Sequence, residues 1–266
     1  PKDAIALASR IKIWQWPNVL GLDAAAIAMA WMGVFAAYSE GNPPDAATYL
    51  VLGLSVWLTY LADRLLDVQN RPMHRLLSKR HRFAKRNRIL LWRLWLLVLL
   101  FAFALAVFRL NPTQLWKGTI LLCVCLAYTV LNQLLSKAYF PKEIFVAGIF
   151  AAGTQIFITG ANMGPPVLLF GLLCLINCLL IAEKEKAVDA RLRVQSAMGQ
   201  VPFPVLGSVA LIAFALEPIS SLGLTLFAPG IALALLFYFR QLIEVEAFRV
   251  LCDAVLLLGP AVYFFA

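Results

Sequence analysis

Asp63 and Asp67 close a long apolar stretch in the string Thr59-Tyr60-Leu61-Ala62-Asp63-Arg64-Leu65-Leu66-Asp67. On a helix this i, i+4 spacing puts both carboxylates on one face, and Tyr60 extends that face by almost a turn. Like charges so spaced repel by roughly 0.2–0.5 kcal/mol on an exposed helix, and by more where water is withdrawn. A divalent cation relieves that repulsion. The string Ile181-Ala182-Glu183-Lys184-Glu185-Lys186-Ala187-Val188-Asp189 repeats the arrangement with Glu185 and Asp189. The two acidic ends are expected to face each other across one cavity. Their donors are all oxygen, with no His or Cys among them, which favours Mg²⁺ over zinc. Mg²⁺ keeps part of its water shell and joins a few carboxylates to phosphate oxygens, so the implied ligand is a diphosphate. Arg64, Arg71, Arg75, Arg80, Arg82 and Arg86 lie beside the first pair and can grip phosphate by two-pronged contacts. A plainer reading competes with this one. Carboxylates at helix ends are often solvated and paired with neighbours such as Lys184 or Lys186, at about 0–1 kcal/mol each. The basic stretch likewise serves as a topology signal and a contact for anionic lipid headgroups.

These residues need helices in a membrane to position them. Of 266 residues 62% are hydrophobic and 14% are charged, and the mean hydropathy is +0.82. That composition excludes a water-soluble globule, a disordered chain, a disulfide scaffold and a nucleic-acid module. Charge-free stretches occupy residues 46–62, 94–108, 118–136, 144–182, 194–216 and 218–239. The longest divides at Gly160-Ala161-Asn162-Met163-Gly164-Pro165-Pro166, a turn-forming run. With residues 19–38 and 250–266 this predicts nine transmembrane helices in a single all-α domain, each near the roughly 20 residues that cross a bilayer. Cytoplasmic loops are expected at about 67–90 and 184–200. The net charge of +9 comes from 23 Lys and Arg against 14 Asp and Glu. With the N-terminus inside and the C-terminus outside, only Arg109 and Lys117 fall on the outer face, as the positive-inside rule requires. A bacterial inner membrane suits this layout, and no cleavable leader is expected.

The five cysteines read as small buried hydrophobes, and His74 and His81 as headgroup-facing surface rather than a zinc site. Asp253 reads as a carboxyl hydrogen-bonded inside the bundle. Asp23 is open between that role and ligand binding.

The layout resembles the UbiA superfamily of intramembrane prenyltransferases, whose members have nine helices and two Asp-rich motifs, after the second and the sixth. The similar strings here are Thr59-Tyr60-x-x-Asp63-x-x-x-Asp67 and Ala182-x-x-Glu185-x-x-x-Asp189. Trp16 and Asn18 resemble the opening of the family's first helix, Tyr128 its fourth-helix Tyr, and Lys142 its Lys before the fifth helix. The likeness covers about residues 14–193. Tyr60 and Ala182 stand where the motifs have leading Asp residues, Asn132 stands for a basic residue, and six carboxylates have become four. The resemblance implies a divergent, Mg²⁺-dependent enzyme that ionises a prenyl diphosphate and transfers the prenyl group to a hydrophobic acceptor. Asp63, Asp67, Glu185 and Asp189 would be the catalytic metal ligands. Asn18, Asp23, Tyr60, Arg64, Arg71, Tyr128 and Lys142 would contact substrate. Two alternatives stay open: a terpene cyclase that needs no acceptor, and a non-catalytic lipid-binding or transport protein on the same scaffold.

Overall fold

The computed structural model describes residues 11–39, 43–69, 71–73, 76, 78–135, 142–158, 164–185 and 221–265. All regular structure among them is helical. A 3-10 turn, Ile13–Gln15, leads into the short helix α1 (Trp16–Leu20), where Pro17 in the first turn suits a position that needs no amide hydrogen. The helix α1 ends because Gly21 adopts φ 73°, the left-handed conformation that glycine takes without a Cβ penalty. Beyond it α2 (Leu22–Tyr38) departs at 76° to the preceding segment. The predicted first span, residues 19–38, is therefore an elbow followed by a helix.

Helix α2 is the axis of the bundle, packed against α3 (Ala46–Gln69), α7 (Lys142–Gln155), α10 (Val245–Val255) and α11 (Leu258–Phe265). Its alanines let neighbours come close, and Trp31 fills the centre. The Trp31 ring stacks on Phe170 of α8 (Gly164–Lys184) at 4.2 Å, and its indole N–H donates to the Leu256 carbonyl at 2.9 Å. Gly259 lets α11 pass over this ring. A Cβ there would lie 2.7 Å from the Thr225 carbonyl oxygen on α9 (Ser221–Tyr238).

Helix α3, which carries the first acidic pair, is fixed at both ends. The backbone N–H and the hydroxyl of Thr48 donate to Asp45 Oδ1 at 2.9 and 2.6 Å, which satisfies groups left open in the first turn. At the other end Lys85 Nζ donates to the Val68 and Gln69 carbonyls at 3.0 and 2.8 Å, a cation at the negative end of the helix dipole. Lys85 belongs to α4 (Lys79–Arg86), a basic surface helix that occupies part of the loop expected at 67–90. Its cap is Ser78, whose Oγ accepts from the His81 amide.

The helices α5 (Arg88–Arg109) and α6 (Pro112–Leu135) pack at the flank, α5 on α3 and α6 on α7. Phe101, Phe103, Trp116, Leu122 and Leu126 remain exposed on them, as suits surfaces meant for lipid. Among the described residues five helical segments are long and apolar enough to cross a membrane: α3, α5, α6 as far as Asn132, α8, and α10 with α11. The elbow and α2 would make a sixth if counted as one bent span, and α9 is apolar over the shorter segment Leu222–Tyr238. The described part of the chain is all-helical, and its long apolar helices mark a membrane protein. The predicted seventh span, residues 194–216, lies outside the described residues.

Candidate functional site

The charged site is built where the ends of α3 and α8 meet the elbow, α4 and the start of α10. Asp63 and Asp67 share a face of α3 with Tyr60, as their spacing requires. Among the described residues Asp63 Oδ1 is buried without a hydrogen-bond partner, and so is Arg71 Nη1 just past the helix end. An orphaned acceptor and an orphaned donor of this kind each cost about 1–3 kcal/mol unless a ligand satisfies them. Lys142, Arg80, Arg64 and Arg71 are the cations whose fields reach Asp63. Arg64 is buried, and its Nη1 donates to the Val19 carbonyl, which ties α3 to the elbow.

Glu185, at the end of α8, has a different environment. It is 4% exposed and both carboxylate oxygens are engaged: Oε2 accepts from Arg80 Nη2 at 3.0 Å, and Oε1 accepts from Arg249 Nη1. Burial alone would raise its pKa, but the two guanidinium groups outweigh burial and hold the carboxyl below its usual 4.5. Arg80 and Lys142 lie within electrostatic reach of Asp63, Asp67 and Glu185 alike, so the two acidic ends share a set of cations. Asp189 and Arg75 lie outside the described residues.

Arg249, on α10, is the hub that sequence reasoning missed, having counted it only as a cytoplasmic positive charge. It is 1% exposed. Its Nε donates to Asn18 Oδ1 at 2.8 Å, its Nη1 to Glu185 and its Nη2 to Glu246 Oε2 at 2.5 Å. Glu246 in turn accepts from the Lys79 amide at 2.8 Å, and Lys79 Nζ donates to Gln15 Oε1 at 3.1 Å. The elbow, α4, α8 and α10 are thereby held in one polar network.

Because Arg249 takes the oxygen of Asn18, the amide nitrogen of Asn18 points the other way. Asn18 Nδ2 donates to Asp23 Oδ2 at 2.6 Å and to Asp253 Oδ2 at 2.8 Å. Asn177 Nδ2 donates to Asp253 Oδ1 at 3.1 Å. Asp253 is thus hydrogen-bonded inside the bundle, as its place in an apolar stretch suggested. A small cavity, partly open at its mouth, adjoins these groups, lined on the polar side by Asn18, Asp23, Tyr60, Asn177 and Asp253. Arg64 and Arg80 line the same cavity, so it continues into the charged site, and Phe150, Ile27 and Leu256 supply an apolar wall.

A scan of protein-family models and searches of curated proteins and of solved structures returned no match to this chain. What the site can do therefore rests on its own residues. Tyr128 stacks on Phe145 at 6.3 Å, between α6 and α7, rather than lining the cavity. Glu143 on α7 was not anticipated: it is buried, and neither carboxylate oxygen has a hydrogen-bond partner among the described residues. Its neighbour Lys142 drew attention only through the family likeness. No group of three or more His, Cys, Asp or Glu side chains converges on one point among the described residues. Asp63 and Asp67 fit a hard divalent cation, with all-oxygen donors and one unsatisfied buried oxygen. Glu185 would have to release Arg80 and Arg249 before it could join them.

His81, read from the sequence as headgroup-facing surface, is instead buried, with Nδ1 2.9 Å from Ser78 Oγ. Burial, followed by the fields of Arg80, Arg64, Arg249 and Arg71, holds its pKa well below the usual 6.5, so the ring is neutral. A surface face was the natural reading because six of the eight residues of α4 are Lys, Arg or His, and hydropathy does not show which of them turns inward.

Proposed function

We propose that the chain is an Mg²⁺-dependent intramembrane enzyme that ionises a prenyl diphosphate and passes the prenyl group to a hydrophobic acceptor. The observation that carries this is the pairing of an unsatisfied buried carboxylate oxygen, Asp63 Oδ1, with an unsatisfied buried guanidinium nitrogen, Arg71 Nη1. A divalent cation satisfies the first and a phosphate oxygen the second. Asp63 and Asp67 would hold Mg²⁺, which when bound neutralises the leaving diphosphate as a Lewis acid. Arg71, Arg80 and Lys142 would bind the remaining phosphate charge. Tyr60 and Phe150, whose rings meet edge to face at 6.5 Å, would shield the allylic cation from water with their aromatic faces. The membrane this reading implies is a bacterial inner membrane, with the N-terminus and the basic helix α4 on the cytoplasmic side.

Purified protein in lipid nanodiscs, given Mg²⁺ and prenyl diphosphates of several lengths, is expected to release pyrophosphate. Asp63→Asn should lower that release on the order of 100-fold, as loss of one preorganised electrostatic contact does. Release with a cyclic hydrocarbon and no acceptor would assign the chain to the cyclases. No release with any donor, with or without acceptor, would leave the carboxylates as a relic on a lipid-binding scaffold.

A further inference from the structure

We propose that the apolar pocket between the elbow, α3, α4 and α5 seats one acyl chain of an anionic phospholipid, whose phosphate rests on Arg86 and Arg88. Val19 and Leu22, on either side of Gly21, line this pocket together with Trp57 of α3, Phe83 of α4, and Leu91 and Leu94 of α5. Its walls are fixed. The Trp57 indole N–H donates to the Leu20 carbonyl at 2.9 Å, and Phe83 meets Trp16 edge to face at 5.4 Å. The one charged side chain in the lining is Arg64, whose Nη1 is spent on the Val19 carbonyl, and Arg64 is all that this pocket shares with the cavity beside Asp253. At about 200 Å³ the pocket is smaller than the roughly 300–1,000 Å³ that encloses a drug-sized ligand, so it suits part of a hydrocarbon chain that continues into the membrane.

Charge identifies the head group. Residues 68–142 contain no Asp or Glu, while residues 79–88 alone hold Lys79, Arg80, Arg82, Lys85, Arg86 and Arg88. Arg80 is engaged by Glu185, Lys79 by Gln15, and Lys85 by the carbonyls that close α3. Arg86 and Arg88 are exposed and make no ion pair among the described residues. Each stands three positions from a residue of the pocket wall, Phe83 and Leu91 respectively, and so is its neighbour on the helix surface. Directly after Arg88, Ile89 and Leu90 are 63% and 66% exposed, which puts the two arginines where polar surface gives way to lipid. A phosphate at that level meets both guanidinium groups while its chain enters the pocket. A zwitterionic head group brings a cation of its own against them. The seat requires neither Mg²⁺ nor prenyl transfer, so it stands or falls apart from the proposed function.

Native mass spectrometry of the protein in a neutral detergent, titrated with phosphatidylglycerol or phosphatidylcholine of matched chains, tests the seat. One phosphatidylglycerol should bind at least about ten-fold more tightly than phosphatidylcholine. Arg86→Gln combined with Arg88→Gln should remove that preference. Leu94 is 43% exposed, and Leu94→Trp, which fills the pocket from its open side, should weaken both lipids by about ten-fold and keep the preference. Glycerol 3-phosphate, a head group without a chain, should not displace the lipid at equal concentration. Equal affinity for the two lipids, a preference that survives loss of both arginines, or undiminished binding in Leu94→Trp overturns the proposal. Displacement by glycerol 3-phosphate overturns it as well, since it would leave an anion site with no chain in the pocket. If the double arginine variant does not fold, Leu94→Trp and the glycerol 3-phosphate competition decide.

Discussion

The two acidic helix ends look alike in the sequence and are physically opposite. At the end of α3, Asp63 leaves a buried oxygen unsatisfied, whereas at the end of α8 both oxygens of Glu185 are held by arginines. One end keeps a vacancy for a ligand, and the other binds the bundle together. The same i, i+4 spacing can therefore serve binding or stability, and the cations that reach each carboxylate decide between them.

Replacing one residue at each end is the most direct way to break that contrast. Glu185→Gln leaves the buried Arg249 and the partly exposed Arg80 without their carboxylate and should destabilise the fold by about 3–5 kcal/mol, read as a lowered midpoint of thermal unfolding. Asp63→Asn relieves like-charge repulsion with Asp67 and removes no hydrogen bond made through Oδ1, so stability should hold or rise by up to about 1 kcal/mol. If both variants lose stability equally, the contrast is false.

Acid should sharpen it. Unfolded, His81 takes up a proton near its ordinary 6.5, and in the folded protein it does not. Stability is therefore full above about pH 6.5 and declines as the pH falls below it. Glu185 has its folded pKa below 4.5, so its contribution is present above pH 4.5 and is lost as the pH drops through the folded value. Denaturant midpoints measured from pH 7.5 downward should fall first for the histidine and then for the glutamate, and His81→Gln should delete the first phase alone. The smallest effect is expected at Arg86, which is exposed on α4. Arg86→Ala should change the unfolding free energy by less than about 0.5 kcal/mol.

Much of this was legible from residue order. Hydropathy alone located α3, α5, α6 and α8, because a bilayer demands long apolar stretches and charges interrupt them. The spacing of Asp63, Asp67 and Tyr60 correctly put them on one helix face, since that relation is local. The elbow at Gly21 was missed: a change of backbone direction leaves hydropathy untouched, and only the glycine hinted at it. Arg249, Asn177 and Asp253 were illegible as partners because Asn18 and Arg249 are 231 positions apart. Nothing local in Arg249 separates a hub from a topology signal. Glu143 was overlooked for a similar reason, as one acid beside one lysine reads as a neutralised surface pair.

The span between Asn18 and Arg249 also has a consequence for biogenesis. Ribosomes deliver the elbow well before α10, so a nascent chain halted before residue 249 holds Asn18 with its carbonyl side unclaimed and Glu185 short of one guanidinium. The earlier helices must wait in the bilayer with their polar groups incompletely matched. The elbow and the end of α8 are therefore locked together only once α10 has been inserted.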